Sequence, residues 1–374
     1  MKLDLASLLA AFTGLCLRTR LRLRLPVVRK KQEGQLAIAI SAEQFVYAQA
    51  DHTGRLRRCG NVERGADTPA AFARRIQALG LPSKQVCAVL PLDQAQLLQA
   101  DAPAVKPEEL KAAARWRVKD QVEGRLDDYI IDVMHVGDER PRAQRHIFVA
   151  AARNAIIREL SERSLAAGLE LAVIDLTETT QRNLQAAVAA QQGLGERATA
   201  ALVRHGGQCL LTMCAGGELF YARRLDWESM AVPEAQPRPG TLAAAVLAAA
   251  AVQPALAVEA MEAMDFIDYG ADDPTGPATT HGDDAPRLVI ELQRSFDVWE
   301  RSWPDLPLAA LWVQVGEPSA RLATLLAKQL GQRVGVLEPE QVFPGLAEAA
   351  PEPTLRAALL PLLGALLRVH TKRL

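Results

Sequence analysis

The chain has 374 residues, of which 49% are hydrophobic and 23% are charged, and its formal net charge at pH 7 is −1. This composition excludes an intrinsically disordered chain, and the length is sufficient for two or more hydrophobic cores. The near-zero net charge gives no overall reason to expect a nucleic-acid partner. The five cysteines include no CxxC pair, so we expect a reducing compartment such as the cytoplasm.

The first 33 residues differ from the rest of the chain. Leu5 to Leu17 is a mostly apolar run of 13 residues, shorter than the roughly 20 residues that span a bilayer. Seven Lys or Arg residues follow it between Arg18 and Lys31, whereas a signal peptide has its positive charges before the apolar run. Two interpretations are open: a peripheral contact of Arg18–Lys31 with anionic inner-membrane lipid, or a disordered basic tail, which a misplaced start codon would also produce.

The next stretch predicts three short strands, a helix and a fourth strand. These elements lie at Leu36–Ile40, Gln44–Ala50, Arg55–Asn61, 69–79 and Val86–Leu90. The turns between the strands are rich in Ser, Asp and Gly, and Thr68-Pro69 and Gly80 are typical of a helix start and a helix end.

A similar order returns in the second half of the chain. The strands predicted there lie at Ala198–Val203, Gln208–Ala215, Glu218–Leu225 and Leu308–Val315. A βββαβ pattern that occurs twice predicts two similar half-domains that face each other.

Residues 96–170 predict a small inserted α+β subdomain within the first half. Its elements are a strand, a helix, two strands and a second helix, at Gln96–Ala100, Pro107–Gln121, Asp128–Val136, Arg145–Ala152 and 154–167. We expect Asn154 to cap the second helix and Leu165 to lie on its apolar stripe. Trp116 lies off the apolar stripe of the first helix, where it either faces solvent or binds a partner together with its basic neighbours.

The expected organisation is therefore a basic extension at 1–33, a first lobe at 34–196 and a second lobe at 197–374. Within the second lobe, the alanine-rich segment Ala243–Ala251 predicts a buried helix, and the Asp, Gly, Pro and Thr content of about 270–285 predicts a mobile loop. Apolar residues spaced by three or four between Val289 and Trp303 predict a helix that faces the core.

Four segments carry a resemblance to a known family. They are Val89-Leu90-Pro91, the segment Glu109 to Val136 with its Ala114-Arg115-Trp116 and Asp127-Asp128-Tyr129, Phe148-Val149-Ala150-Ala151, and Val173-Ile174-Asp175. In their order along the chain they resemble the PilM-like and MshI-like proteins of type IV and MSHA pilus biogenesis. These proteins belong to the actin-like ATPase superfamily, with the cytoplasmic domain of GspL as a more distant relative. The resemblance implies an α/β, actin-like (ribonuclease H-like) duplicated βββαβ fold.

In that superfamily, two hairpin turns and one later glycine-rich turn hold a nucleotide between the halves. Close approach of the backbone to phosphate favours glycine, and a carboxylate organises the hydrated Mg²⁺. In this chain the first turn reads Ala39-Ile40-Ser41 instead of Asp-x-Gly, and the second has Arg204 at the Asp position. The third, Gly316-Glu317-Pro318, replaces the usual Gly-Gly.

These departures imply that the chain does not hydrolyse ATP and needs no cofactor. The degenerate turn residues are Ser41, Arg204, Gly206, Gly207, Gly316 and Glu317.

Other chemistry is sparse in the sequence. The six histidines show no metal-ligand spacing, and there is no GxSxG, HExxH or P-loop motif. His205 is the only histidine near the expected cleft, where a structural role and a catalytic role are both open. Cys209 and Cys214 lie on opposite faces of one strand, which disfavours a shared metal site.

The resulting hypothesis is a non-catalytic scaffold at the cytoplasmic face of the inner membrane. The resemblance implies that it binds the cytoplasmic N-terminal peptide of a PilN-like bitopic membrane protein, and that it couples an assembly ATPase to the pilus. Two alternatives are an active nucleotide-dependent ATPase or kinase of the same fold, and a membrane-surface binder that acts through residues 1–33.

Overall fold

The computed structural model describes residues 35–137, 146–227 and 287–368. The predicted basic extension, the predicted helix at Ala243–Ala251 and the predicted loop at about 270–285 lie outside these residues.

Thirteen strands are present in the described residues. In chain order, β1 to β13 are Leu36–Ile40, Gln44–Ala50, Leu56–Glu63, Val86–Leu90, Ala95–Asp101, Tyr129–Val136, His146–Arg153, Leu171–Leu176, Ala198–His205, Gln208–Ala215, Glu218–Asp226, Leu308–Gln314 and Val334–Val336.

The described residues also form eight α-helices. In chain order, α1 to α8 are Pro69–Gln77, Pro107–Arg117, Asn154–Ala166, Thr177–Gln191, Arg287–Ser302, Ser319–Leu330, Leu346–Ala349 and Pro353–Leu366.

Two five-stranded sheets have the same strand order and the same pairing directions. The first has the order β3-β2-β1-β4-β8 and the second has the order β11-β10-β9-β12-β13. In each sheet the first three strands form an antiparallel meander, and the fourth and fifth strands continue parallel to the central one. The duplication predicted from the sequence is therefore present in the topology.

The chain between β4 and β8 builds a third sheet. Its three antiparallel strands have the order β5-β7-β6. Helix α2 covers one face, where Leu110, Ala114 and Val118 pack against Ile131 and Val149. The other face reaches the second lobe through buried contacts that include Phe148 and Phe220.

Helices α4 and α8 lie between the two five-stranded sheets. Leu184 of α4 and Leu363 of α8 share one core with Val46 of the first sheet and Trp312 of the second. The two helices cross closely, because a Cβ atom at Gly364 of α8 would lie 1.9 Å from the carbonyl oxygen of Thr180 in α4. Only glycine allows this backbone approach.

The core-facing stripe between Val289 and Trp303 is confirmed. Its five apolar residues are Val289, Leu292, Phe296, Trp299 and Trp303, and all of them are buried. The Phe220 ring contacts both tryptophans edge to face, with ring centroids 6.0 Å and 4.6 Å apart. The Trp299 indole N–H donates to the carbonyl of Leu306 at 2.7 Å. The indole N–H of Trp299 is therefore hydrogen bonded although the ring is buried.

Three local predictions in the inserted segment and after it are wrong. Asn154 is the first residue of α3 rather than its cap, and its side-chain amide donates to the carbonyl of Asp127 at 2.9 Å. Leu165 is 72% exposed, because α3 packs on the first sheet with the opposite face, through Leu160. The helix predicted to reach Gln121 ends at Arg117 and continues only as one turn of 3₁₀ helix at 119–121.

Candidate functional site

The carboxyl ends of the parallel strands in both five-stranded sheets meet at one place. In the first sheet, β1, β4 and β8 run parallel, so the β1–β2 turn lies at the same edge as Leu90 and Leu176. In the second sheet, β9 and β12 run parallel, so the turns that follow His205 and Gln314 share an edge. This is where ligands bind in open α/β sheets.

The start of helix α4 joins these two edges. The Thr177 hydroxyl donates to the carbonyl of Leu90 at 2.8 Å, at the end of β4 in the first lobe. One helical turn later, Gln181 Oε1 lies 3.0 Å from His205 Nε2, at the end of β9 in the second lobe. The first turn of α4 is thus the floor of the cleft between the lobes.

The first turn of the predicted nucleotide site is closed by its own side chain. Ser41 Oγ accepts the backbone N–H groups of Glu43 at 3.2 Å and Gln44 at 3.0 Å. The Glu43 carboxylate pairs with Arg64 at 2.9 Å. These two N–H groups are therefore already hydrogen bonded within the turn.

The second turn presents a cation. Arg204 is exposed, its Nε donates to the carbonyl of Gly206 at 2.8 Å, and its guanidinium lies 5.4 Å from the centre of the Trp227 ring. Gly206 has a φ of +64°, and Gly207 completes the two-residue turn. The backbone freedom of the glycines is kept, but no carboxylate stands at the Asp position.

The third turn is tied down by the first residue of α6. Ser319 Oγ accepts the N–H of Val315 at 2.9 Å and donates to the carbonyl of Gly316 at 2.6 Å. The N–H of Gly316 donates to Gln314 Oε1 at 3.1 Å, and Glu317 is exposed. Pro318 is in the N-cap position of α6, and Ser319 is the first residue of the helix.

The six sequence-predicted site residues thus lie on three turns at the carboxyl edges of the sheets. Their donor set does not fit a Mg²⁺-bound nucleotide. Backbone N–H groups of the first and third turns bond within the protein, and a guanidinium stands where a metal would need carboxylate support.

Sequence reasoning missed a buried polar ladder between α4 and the second sheet. The Gln181 amide nitrogen contacts the carbonyl of Leu210 at 3.0 Å and Thr212 Oγ1 at 2.9 Å. The Thr212 hydroxyl donates to Gln185 Oε1 at 2.6 Å, and the Gln185 amide donates to the carbonyl of Thr199 at 2.8 Å. These buried polar groups are satisfied only in this arrangement, which fixes the helix on the second sheet.

An arginine of the second lobe is bound by the first lobe. Arg224, on β11, forms an ion pair with Glu178 of α4 at 2.5 Å, and the Glu178 side chain is 3% exposed. The same guanidinium donates to the carbonyl of Leu92, just before the inserted sheet, and at 2.7 Å to that of Ala95, the first residue of β5. Nothing in the sequence distinguishes this arginine from its neighbour Arg223.

A second buried acid at the cleft is also occupied. Asp175, the second-last residue of β8, accepts hydrogen bonds from the Thr179 hydroxyl, from the N–H of Leu176 and from Arg368, which follows α8. Its carboxylate is therefore fully engaged by groups of the protein. Burial, and then the neighbouring Asp175 carboxylate, raise the pKa of the Cys87 thiol to about 12.

The two cysteines of the second lobe, Cys209 and Cys214, are equally unreactive. Burial raises the pKa of the Cys209 and Cys214 thiols to about 12, so neither is a thiolate at neutral pH. In the part of the chain that the structure describes, no group of three or more His, Cys, Asp or Glu residues could hold a metal ion.

Burial also lowers the pKa of His205 to about 4. The neutral ring is fixed by its contact with Gln181, so His205 belongs to the polar ladder in this structure.

Among the helices formed by residues 35–137, 146–227 and 287–368, none has the length and hydropathy that a membrane crossing needs.

No protein-family model and no curated protein matches this chain. Among solved structures, the chain is similar to the PilM-PilN type IV pilus biogenesis complex, with 19% sequence identity and a TM-score of 0.59. The similarity covers 90% of this chain and 98% of that chain. Because the identity is low, this likeness establishes the fold, and it confirms the prediction of a PilM-like, actin-like architecture.

Two further solved structures are more distant. The cytoplasmic domain of EpsL, an inner-membrane component of the type II secretion system of Vibrio cholerae, is 12% identical over 54% of this chain and 77% of that chain, with a TM-score of 0.38. A protein with an actin-like ATPase fold from Bacteroides thetaiotaomicron is 10% identical over 82% of this chain and 91% of that chain, with a TM-score of 0.42.

Proposed function

We propose that this chain is a non-catalytic, actin-like scaffold of type IV pilus assembly, and more narrowly an MshI-like scaffold of an MSHA pilus. It binds the short cytoplasmic N-terminal peptide of a PilN-like inner-membrane protein and couples an assembly ATPase to the membrane platform. It works at the cytoplasmic face of the inner membrane, with Arg18–Lys31 as an additional contact to anionic lipid.

The observation that carries the proposal is the state of the three cleft turns. Ser41 and Ser319 use the backbone donors that a phosphate would need, and Arg204 replaces the acid that would organise a metal. The two buried acids nearest the cleft floor, Asp175 and Glu178, are each bound by an arginine. At this cleft, ion pairs between the protein's own side chains hold the two lobes together.

The partner assignment rests on the fold. The solved structure that the chain resembles over 90% of its length is a complex of PilM with PilN. Recognition of a short extended peptide requires only a groove and exposed backbone or apolar positions, with no catalytic group.

The second candidate function is an active ATPase or kinase of the same fold. Two observations favour it: Gly206 and Gly316 keep left-handed φ values of +64° and +94° at two of the three turns, as a phosphate-binding loop would require.

Thermal unfolding of the full chain with Mg-ATP separates the two functions. The scaffold predicts a melting temperature that stays within about half a degree of the value with Mg²⁺ alone. A nucleotide present at about a hundredfold its dissociation constant would add roughly 2.7 kcal/mol of stability. A rise of several degrees that needs both Mg²⁺ and ATP would overturn the non-catalytic assignment.

Peptide capture tests the partner. A synthetic peptide of the cytoplasmic N-terminal segment of the PilN-like protein from the same organism should retain the full chain on a column, whereas a scrambled peptide of the same composition should not. Equal retention by both peptides, or by neither, would contradict the assignment.

A further inference from the structure

A pocket lies at the outer edge of the second sheet, beside the end of helix α4 that is far from the cleft. Its volume is about 310 Å³, and apart from one alanine and two valines its lining consists of Gln192, Trp312, Arg333, Gly335, Glu338 and Gln341. Gln192 is the C-cap of α4, a helix of 15 residues. Because a helix rises about 1.5 Å per residue, the pocket is roughly 20 Å from the turn of α4 that forms the cleft floor, and it is a separate site.

Gly335 opens the space beside the Trp312 indole. The two residues pair across the parallel β12–β13 ladder, so their side-chain positions lie on the same face of the sheet. A Cβ atom at Gly335 would lie 3.7 Å from Trp312 Cδ1, the ring carbon bonded to Nε1, which is an ordinary contact. Neither packing nor a left-handed φ requires glycine here. The missing side chain therefore leaves the N–H edge of the indole beside the pocket.

The Trp312 indole N–H is a buried donor without a protein partner. Trp312 is 2% exposed, and its Nε1 makes no hydrogen bond to the residues that the structure describes. By contrast, the buried indole of Trp299 donates to the carbonyl of Leu306. Buried indole N–H groups usually have a partner, so an acceptor that enters the pocket would satisfy this one.

Arg333 places a second donor at the same pocket. Its carbonyl accepts the N–H of Leu311 at 2.9 Å, which extends the ladder by one residue before β13. Because Arg333 lies two residues before Gly335, its side chain is on the face of the sheet that carries Trp312. The side chain is exposed and has no ion pair or hydrogen bond with any described residue. A guanidinium beside an indole N–H suits a carboxylate, which accepts hydrogen bonds only.

The other polar residues of the pocket supply acceptors. The Gln192 amide nitrogen donates to Gln341 Oε1 at 3.3 Å, and the Gln341 amide nitrogen donates to Glu338 Oε2 at 2.8 Å. Gln192 Oε1 and Glu338 Oε1 have no donor among the described residues, and Glu338 has no ion pair there. An ammonium group, which only donates, suits these two oxygens.

We propose that this pocket binds a small zwitterion of the amino-acid type. Its carboxylate accepts hydrogen bonds from Arg333 and from the Trp312 indole, and its ammonium group donates to Glu338 and Gln192. The volume of about 310 Å³ is at the lower end of the roughly 300–1,000 Å³ usual for small-molecule sites, which suits a single amino acid.

The charges of the pocket favour a zwitterion over an ion of one sign. Arg333 and Glu338 both line the pocket, and neither has an ion pair among the described residues. A phosphate bound to Arg333 would be repelled by Glu338, and a metal cation bound to Glu338 would be repelled by Arg333. The site is far from the cleft, so the inference goes beyond the proposed scaffold function and does not depend on it.

The indole N–H signal of Trp312 reports occupancy directly. In a ¹H–¹⁵N spectrum of the full chain with its five tryptophans labelled, this signal is the one missing from Trp312→Phe. Titration with the common L-amino acids, one at a time, should shift it saturably for at least one of them. The methyl ester and the N-acetyl derivative of that amino acid should each bind roughly tenfold more weakly, since each loses one charge. Titration calorimetry measures the same affinities without the signal assignment.

Two variants of the full chain test the location. Arg333→Gln should weaken binding of the same amino acid roughly tenfold, whereas Arg321→Gln, at an exposed arginine of α6 outside the pocket, should leave it unchanged. Gly335→Ala fills the space beside the indole through an ordinary contact, so the chain should melt as the wild type does but bind at least tenfold more weakly.

Three results would overturn the assignment. They are no saturable binding of any of the amino acids, equal binding of the blocked derivatives, and wild-type affinity in either Arg333→Gln or Gly335→Ala. Capture of the PilN-like peptide should be the same for both variants and the wild type, so a failure of this site leaves the scaffold function standing.

Discussion

The two five-stranded sheets have one topology and two different environments. The outer strand of the first sheet, β3, contains no buried residue, whereas the outer strand of the second, β11, buries Leu219, Phe220 and Leu225. The inserted sheet and helix α5 pack against β11, whereas β3 contributes only partly buried residues, Leu56, Cys59 and Val62, to the clusters around the first sheet. Strand order is thus decided locally by short turns and alternation, and burial is decided by which elements pack on each sheet.

The helices that follow the two meanders show the same contrast. Helix α1 has nine residues and buries Phe72 and Ile76. Helix α5 has 16 residues and buries six, among them Trp299. The second lobe therefore has the larger core. Replacing one of its large buried side chains with alanine should cost more free energy of unfolding than the same change in the first lobe.

The largest expected effect is that of Trp299→Ala. Trp299 is 0% exposed and its indole is hydrogen bonded, so we expect a loss of about 4–5 kcal/mol in the free energy of unfolding. Phe72→Ala in the first lobe is the matched comparison, with an expected loss of about 3 kcal/mol. Urea unfolding measures both, and an equal or larger loss for Phe72→Ala would break the contrast between the lobes.

Gly364→Ala tests how closely the lobes are joined. The added methyl group would overlap the Thr180 carbonyl, so α4 and α8 must separate, at a cost of about 3 kcal/mol. Gly195→Ala is the control, since its Cβ would meet its nearest neighbour at an ordinary 3.6 Å. Comparable melting temperatures for the two variants would show that the helix crossing adapts freely.

Arg224→Ala tests the ion pair between the lobes. It leaves the buried Glu178 carboxylate without its cation, which we expect to cost about 2–3 kcal/mol at neutral pH, somewhat less than in a fully dry interior because the Arg224 side chain is partly exposed to water. Adding Glu178→Gln should recover a large part of that loss. A double variant no more stable than Arg224→Ala would mean that the carbonyl contacts at Leu92 and Ala95 matter more than the ion pair.

The smallest effect concerns His205 and pH. Burial lowers its pKa from 6.5 to about 4 in the folded chain, so the unfolded chain takes up the proton first as the pH falls. Its contribution to stability is therefore complete above pH 6.5 and is lost progressively as the pH falls towards 4.

His205→Gln should flatten the loss of stability over that pH range relative to the wild type. His52→Gln, at an exposed position, is the control. Identical pH profiles for His205→Gln and the wild type would contradict the assignment.

The sequence predicted the strands and helices well because each carries its signal locally. Apolar alternation and the helix start at Thr68-Pro69 are properties of a few adjacent residues. The errors fell where contacts with distant residues decide the outcome. Leu165 fits an apolar stripe but is 72% exposed, and the Asn154 side chain donates to the carbonyl of Asp127 instead of capping its own helix.

The cleft shows the same division. The loss of acidic and glycine residues at the turns could be predicted from Ser41, Arg204 and Glu317. Nucleotide binding requires a particular residue type at each of these positions, so the sequence alone shows when that residue type is missing. The polar ladder of Gln181 and Gln185 could not be predicted from the sequence, because glutamines on one side of a helix are as compatible with a solvent-facing side as with a buried one.

The amino-acid sequence by itself determined the duplicated order of strands and helices and the degenerate chemistry of three turns, since both depend on residue type and short spacing. Only the tertiary structure decided that Arg224 joins the lobes, that Gly364 sits against a backbone carbonyl, and that Gln192, Trp312 and Gly335 line one pocket. These features join residues that are far apart in the chain, and their energies come from burial and geometry that exist only once the lobes have packed.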